Sequence, residues 1–162
     1  MTSSPHPPFQ AFLDEHRRPV LAYLRAAVGY SDAEDVFQET FIAALRAYDR
    51  MDGRHPRAWV MTIARRKAID HHRARARRPE PRDELPAQPV PGPEHDVGGD
   101  EVWRAVAALS DAQRDAVALR FAADLSYREI GETLEISEPA ARRRVSDALA
   151  KLHDSIDSED AP

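Results

Sequence analysis

The chain has 162 residues, 42% hydrophobic and 31% charged, with a formal net charge of -5 and no cysteine. That composition describes a globular chain with room for one domain or two small ones, and it excludes disulfides and thiolate metal sites. No apolar run approaches the roughly 20 residues that span a bilayer, and the start MTSSPHPPF lacks the cationic segment and apolar core of a secretion signal, so a cytoplasmic chain with no membrane insertion is expected.

Phe9, Phe12 and Leu13, then Val20, Leu21, Leu24 and Val28, follow helical spacing, and Pro19 is suited to open a new helical turn. Ser31 with Glu34 reads as a capping box ahead of the apolar stripe Val36, Phe37, Phe41, Ala44, Leu45 and Tyr48. On that helix Asp35, Gln38, Glu39 and Ile42 fall at i, i+3, i+4 and i+7. Carboxylates and an amide therefore share a face able to dock on a basic, apolar-edged protein groove. The helix dipole accounts for Asp32 and Glu34 without any partner.

Gly53 and Pro56 mark a loop, after which a long helix turns Trp59, Val60, Ile63 and Ala64 inward. A lone Trp on such a stripe belongs to the core more often than to a ligand site. From Arg50 to Arg78 the charge is nearly all cationic, with only Asp52 and Asp70 opposing it, which is the pattern of a polyanion-binding surface.

Arg78 to Asp100 is rich in Pro and Gly and poor in apolar residues, and cannot hold a helix or a packed strand. A flexible Pro-rich linker is expected over 79–100, made acidic by Glu80, Asp83, Glu84, Glu94 and Asp96. It divides an N-terminal helical module over 9–78 from a C-terminal one over 101–156, so the fold class is all-α with two small helical domains.

In the second module Ser110 with Gln113, Ser126 with Glu129, and Ser137 each signal a helix start. A short helix Tyr127 to Leu134, a turn and a longer helix from Glu138 to about His153 have helix-turn-helix spacing. At about 100° per residue from Val145, Ala141, Ala148, Leu149 and Leu152 form one apolar face. Ala140, Arg143, Ser146 and Asp147 lie opposite, with Arg142 and Arg144 on the flanks. A helix held by its back and carrying small residues and arginines near its exposed start fits a DNA major groove, with Arg143 toward base edges and Arg142 and Arg144 toward phosphates.

The order of these features, from about residue 9 to 153, resembles the bacterial RNA polymerase sigma factors of the extracytoplasmic-function group of the sigma-70 family. DAEDVFQETFIAAL is similar to the family's helix that docks on the clamp helices of the polymerase largest subunit, and RAWVMTIARRKAIDHHRARARR to the helix that engages the promoter minus-ten element. LSDAQRDAVALRFAADLSYREIGETLEIS followed by EPAARRRVSDALAKL is similar to the domain that reads the minus-thirty-five element. The resemblance implies an alternative sigma factor, not an enzyme, with core RNA polymerase (largest and second-largest subunits), promoter DNA and an anti-sigma factor as partners. Residues carried over for core binding are Asp35, Gln38, Glu39 and Ile42. For the minus-ten element they are Arg65, Lys67, His71, Arg73 and Arg77, together with Met51, His55 and Arg57 from the loop that captures a flipped base. For the minus-thirty-five element they are Arg142, Arg143, Arg144 and Ser146. In the family the linker threads the active cleft and the RNA exit path.

Arg66, Glu135, Pro139 and Asp147 depart from residues common in the family, so no promoter sequence carries over. Two other readings deserve comparison. A metal-dependent nuclease built on Asp32, Asp35 and Glu39 lacks a second ligand set and a Gly-rich phosphate loop, and adjacent His71 and His72 point in different directions. No catalytic residue, metal ligand or cofactor is assigned. A stand-alone helix-turn-helix repressor explains the last module but leaves the acidic helix and the first basic stretch idle.

Overall fold

The computed structural model describes residues 5–78 and 105–159, and every regular element among them is helical. The expected linker with its acidic residues, and the start of the second module at 101–104, lie outside the described residues. In chain order come α1 (Phe9–Val28), α2 (Tyr30–Ala47), a 3-10 turn (Tyr48–Arg50), α3 (Pro56–Arg77), α4 (Asp111–Val117), a π turn (Ala118–Ala122), α5 (Tyr127–Leu134) and α6 (Glu138–Glu159).

α1 is one helix that runs through Pro19 rather than restarting there. The ring costs one hydrogen bond, and burial of Phe12, Val20, Tyr23 and Leu24 on a single face outweighs that loss. The expected capping box at Ser31 is absent. α2 begins two residues earlier, at Tyr30 with Gly29 as its cap, because Gly29 takes a positive φ of 85°, donates to the Arg25 carbonyl and accepts from Ala33. That one left-handed residue reverses the chain, and Ser31 lies inside the helix.

α1, α2 and α3 pack on one another, with Phe9, Phe12, Phe41 and Tyr48 meeting edge-on or tilted at centroid distances of 5.1–6.5 Å. His16 is 2% exposed in that core, and neither ring nitrogen has a hydrogen-bond partner. Burial pushes its pKa below 6.5, opposed by Glu15 and reinforced by Arg57.

In the second half the caps form as expected. Ser110 Oγ accepts from Gln113 N at 3.2 Å and Ser126 Oγ from Glu129 N at 3.1 Å, each with the reciprocal bond of a capping box, and Ser137 Oγ accepts from Ala140 N at 3.2 Å. The tight turn rests on two positions. Gly131 lies so close to the next helix that an added Cβ would stand 2.7 Å from the Ile136 carbonyl oxygen. Glu135 holds a left-handed φ of 58° and closes α5. Glycine is the residue that meets this conformation without cost, and here a side chain bears the strain.

α6 extends to Glu159, beyond the expected end near His153. Its core seam is Ala141, Val145 and Ala148, while Leu149, expected on the same face, is 41% exposed. Leu149 sits about 100° around the helix from Ala148, at the edge where α4 and α5 no longer cover it.

The halves also pack against each other: the π turn lies on α1, α5 on α3, and buried residues of both belong to one continuous cluster.

Two outcomes follow for stability. Glu135→Gly should raise it by about 1 kcal/mol, because the left-handed cost of a side chain exceeds the added chain entropy of glycine, whereas Gly131→Ala should lower the melting temperature; thermal unfolding checks both. For His16, the folded pKa lies below the unfolded one, so the unfolded chain takes up the proton first as pH falls. Its contribution is present above the unfolded value and is lost downward from about pH 6.5. His16→Leu should flatten the decline in melting temperature between about pH 6.5 and pH 5, measured against the parent chain.

Candidate functional site

The outer face of α2 is built as its spacing predicts: Asp35, Gln38, Glu39 and Ile42 are all exposed, Ile42 by 52%. Leu45, expected in the core stripe, is instead 56% exposed and continues this face. Phe41 and Ala44 already fill the inner side, and Leu45 stands three residues from Ile42 and seven from Gln38, a spacing that placed it on the acidic face all along. Asp32 faces the other way. Its Oδ2 accepts from Arg75 Nη1 at 2.8 Å and lies 3.0 Å from His71 Nε2, so α3 supplies partners in addition to the helix dipole. Exposed apolar side chains beside exposed acids form a surface suited to a basic protein groove.

α3 carries the cations. Lys67 and His71 are half-buried, and Arg66, Arg73 and Arg77 are exposed. His71 turns to Asp32 and His72 to the Ala27 carbonyl, 2.8 Å away, so the adjacent pair diverges as expected. Arg65 is half-buried, and its Nε donates at 2.8 Å to Asp115 of α4.

Ahead of α3, the Asp52 carboxylate accepts from Arg54 N at 2.8 Å and shapes the loop. His55 and Arg57 are half-buried on it. Met51, expected to contact a base, is 6% exposed and belongs to the core, because the chain leaves the 3-10 turn pointing that side chain inward. Trp59 packs edge-on against Phe12 at 5.8 Å, which is the core role. A cavity of about 180 Å3 beside the loop is lined by Met51, His55, Trp59 and Thr62 and, from the second half, by Glu132.

On α6, Arg142, Arg143, Ser146 and Asp147 are exposed and Arg144 is half-buried. The Arg142 guanidinium lies 4.5 Å from the Tyr127 ring centroid and 3.5 Å from Glu138, while Arg120 covers the same ring at 4.6 Å. Arg143 and Arg144 line a groove of about 610 Å3 with Ser110, Gln113, Ser137 and Asp147. Tyr127, which holds Arg142 in place, was not anticipated from sequence, since a ring between two arginines exists only once α5, α6 and the π turn have packed.

Asp115 and Tyr23 were missed as well. Tyr23 Oη donates to Asp115 Oδ1 at 2.5 Å, and Arg65 takes the other carboxylate oxygen. Burial, and then the neighbouring carboxylate, push the Tyr23 phenol well above its usual range. Among the described residues no group of three or more His, Asp or Glu could hold a metal, and no helix is long and apolar enough to cross a membrane.

Residues 12–78 match sigma-70 region 2 and residues 99–152 match sigma-70, region 4. The chain is 36% identical over 131 residues to the ECF RNA polymerase sigma factor ShbA of Streptomyces griseus, covering 74% of this chain and 69% of that protein. It is 31% identical over 144 residues to the RNA polymerase sigma factor CnrH of Cupriavidus metallidurans, covering 80% and 75%. Among solved structures, the sigma factor RpoE in complex with the anti-sigma factor NepR from Bartonella quintana superposes with a TM-score of 0.77 at 23% identity, over 92% of this chain and 96% of that one. CnrH in complex with the cytosolic domain of CnrY follows with a TM-score of 0.68 at 24% identity, over 94% and 89%. At those identities the superpositions speak to the fold.

Proposed function

The chain belongs to the extracytoplasmic-function group of the sigma-70 family, and from that membership we infer how its surfaces divide the work of promoter recognition. It is an alternative sigma factor that binds core RNA polymerase and directs transcription initiation. The observation that carries this is the presence of both sigma-70 regions, in order, on one chain with a relative 36% identical over most of its length.

Within that role the N-terminal domain, residues 9–78, serves core binding and the minus-ten element. Asp35, Gln38, Glu39 and Ile42 dock on the polymerase, and Leu45 extends the apolar edge of that contact. Arg65, Lys67, His71, Arg73 and Arg77 meet the promoter backbone, while His55 borders the cavity that takes a flipped base and Arg57 stands two residues on, in the first turn of α3. Met51 supports the loop from beneath. Residues 79–100 link the domains, and residues 101–156 read the minus-thirty-five element through Arg142, Arg143, Arg144 and Ser146. The cation–π contact with Tyr127 and the pairing with Glu138 hold Arg142 to the flank of α6, which leaves Arg143 to point outward.

The factor works in the cytoplasm, where its polymerase is, and the catalytic chemistry belongs to the polymerase. An anti-sigma factor is expected to cover these surfaces, as the complexes of RpoE with NepR and of CnrH with CnrY suggest for a shared fold. A stand-alone repressor has no use for the acidic, apolar-edged face of α2, and a nuclease would need a metal-holding cluster.

Charge reversal at Asp35 and Glu39 together should abolish pull-down of core polymerase and run-off transcription with helicity unchanged; undiminished pull-down would overturn the docking assignment. On the upstream element, Arg143→Ala should cost roughly 1 to 3 kcal/mol and relax base preference, whereas Arg142→Ala should weaken all sequences alike and lower the salt slope by about one, as read by holoenzyme binding to a panel of single-base variants.

A further inference from the structure

Pro5, Pro7 and Pro8 stiffen the segment ahead of α1, and Pro8 is extended, with φ of -53° and ψ of 140°. A segment so restricted gives up little chain entropy when it is fixed against the protein. Here it is fixed at two points. Tyr48 Oη, at the 3-10 turn, donates to the Pro7 carbonyl at 2.6 Å, and the His6 ring stands 5.4 Å from that of Tyr48, tilted by 54°. His6 also reaches the loop ahead of α3, where a Cβ added at Gly53 would lie 3.4 Å from its Cε1. Gly53 holds a φ of 78°, a conformation that glycine takes at no steric cost.

From within, the loop is held by Met51 N, which donates to the Tyr48 carbonyl at 3.1 Å, and by the Asp52 carboxylate on Arg54 N. From outside, a cavity of about 580 Å3 lies between the loop and the segment Pro5 to Pro7, with Met51, Asp52 and Gly53 in its wall. The same three residues border the cavity of about 180 Å3 on the side of His55. They form a shared wall, so a displacement on the side of His6 is felt in the cavity next to His55. Taking a base out of the stack costs its stacking and pairing, and a pocket offsets that cost only if its walls are set before the base arrives.

We propose that Pro5 to Pro8 form a strap across the base-capturing loop and that His6 and Tyr48 are positioning residues for base capture, acting through the wall Met51 to Gly53. Neither side chain touches the base. Tyr48 fixes the strap at the start of the loop and His6 bears on Gly53 at its middle, which sets the wall for the extruded base and leaves core binding and the upstream element untouched. The proposal rests on the reading of this loop as the one that takes a flipped base.

The test is run-off transcription by holoenzyme on a promoter selected from genomic fragments, as duplex and as the same sequence premelted over the minus-ten element. Premelting removes the work of extruding the base. Tyr48→Phe, which deletes only the hydroxyl that holds Pro7, and His6→Ala should each lower transcription from the duplex about fivefold and leave the premelted template within about twofold of the parent. In a panel of single-base duplex variants, the preferred base at one non-template minus-ten position should lose about fivefold of its advantage over the other three. Core pull-down should be unchanged. Circular dichroism and thermal unfolding check the fold, and if Tyr48→Phe fails to fold, His6→Ala, at a half-buried side chain, decides. No loss on the duplex, equal losses on the two templates, or an unchanged base preference overturns the positioning role. His55→Ala in the same panel separates the two failures: if it flattens the preference where the strap variants do not, the loop takes a base and the strap alone is refuted, whereas if none of them alters the preference the reading of the loop falls.

Discussion

A carboxylate moved out of water is costly unless its charge is answered, and Asp115, 19% exposed at the seam between the halves, is answered from two helices at once. Tyr23 on α1 and Arg65 on α3 belong to one half and Asp115 to the other. Neither half satisfies these groups by itself. The contact gives the seam orientation, because two hydrogen bonds to one carboxylate allow few relative placements of the elements that carry them. It is strong only while water is kept out.

The surrounding core is built largely from small residues where helices meet. Ala64 and Ala68 of α3, Ala116 of α4 and Ala118 and Ala123 around the π turn are buried, so helices approach closely while each contact removes little apolar area. Larger side chains fill the aromatic group of the first half and, in the second, the positions of Leu119, Leu125 and Ile130.

Charge then divides the outside. The acids and exposed apolar residues of α2 turn away from the cations of α3, except at Asp32, which bridges to His71 and Arg75 and ties the two helices together. A net charge of -5 thereby coexists with two basic surfaces. Long-range repulsion of a polyanion by the net charge is moderated locally at those surfaces.

Helix periodicity, serine caps and charge grouping are local properties, and the sequence by itself determined what they govern: an all-helical chain in two parts, the helix-turn-helix between Ser126 and the arginines of α6, the exposed acidic face through Asp35 and Ile42, and the family. Departures arose where a residue answers to something distant in the chain. Met51 is buried by the direction in which a 3-10 turn releases the backbone, and Leu45 is exposed because Phe41 and Ala44 had filled the inner side. Ser31 lost its cap to the reversal at Gly29, a backbone conformation that no side-chain pattern announces. The link from Tyr23 and Arg65 to Asp115 spans 92 and 50 residues. Only the tertiary structure decided it, since a single tyrosine, arginine and aspartate have no meaning as a set until packing brings them together and removes the water that each would otherwise bind.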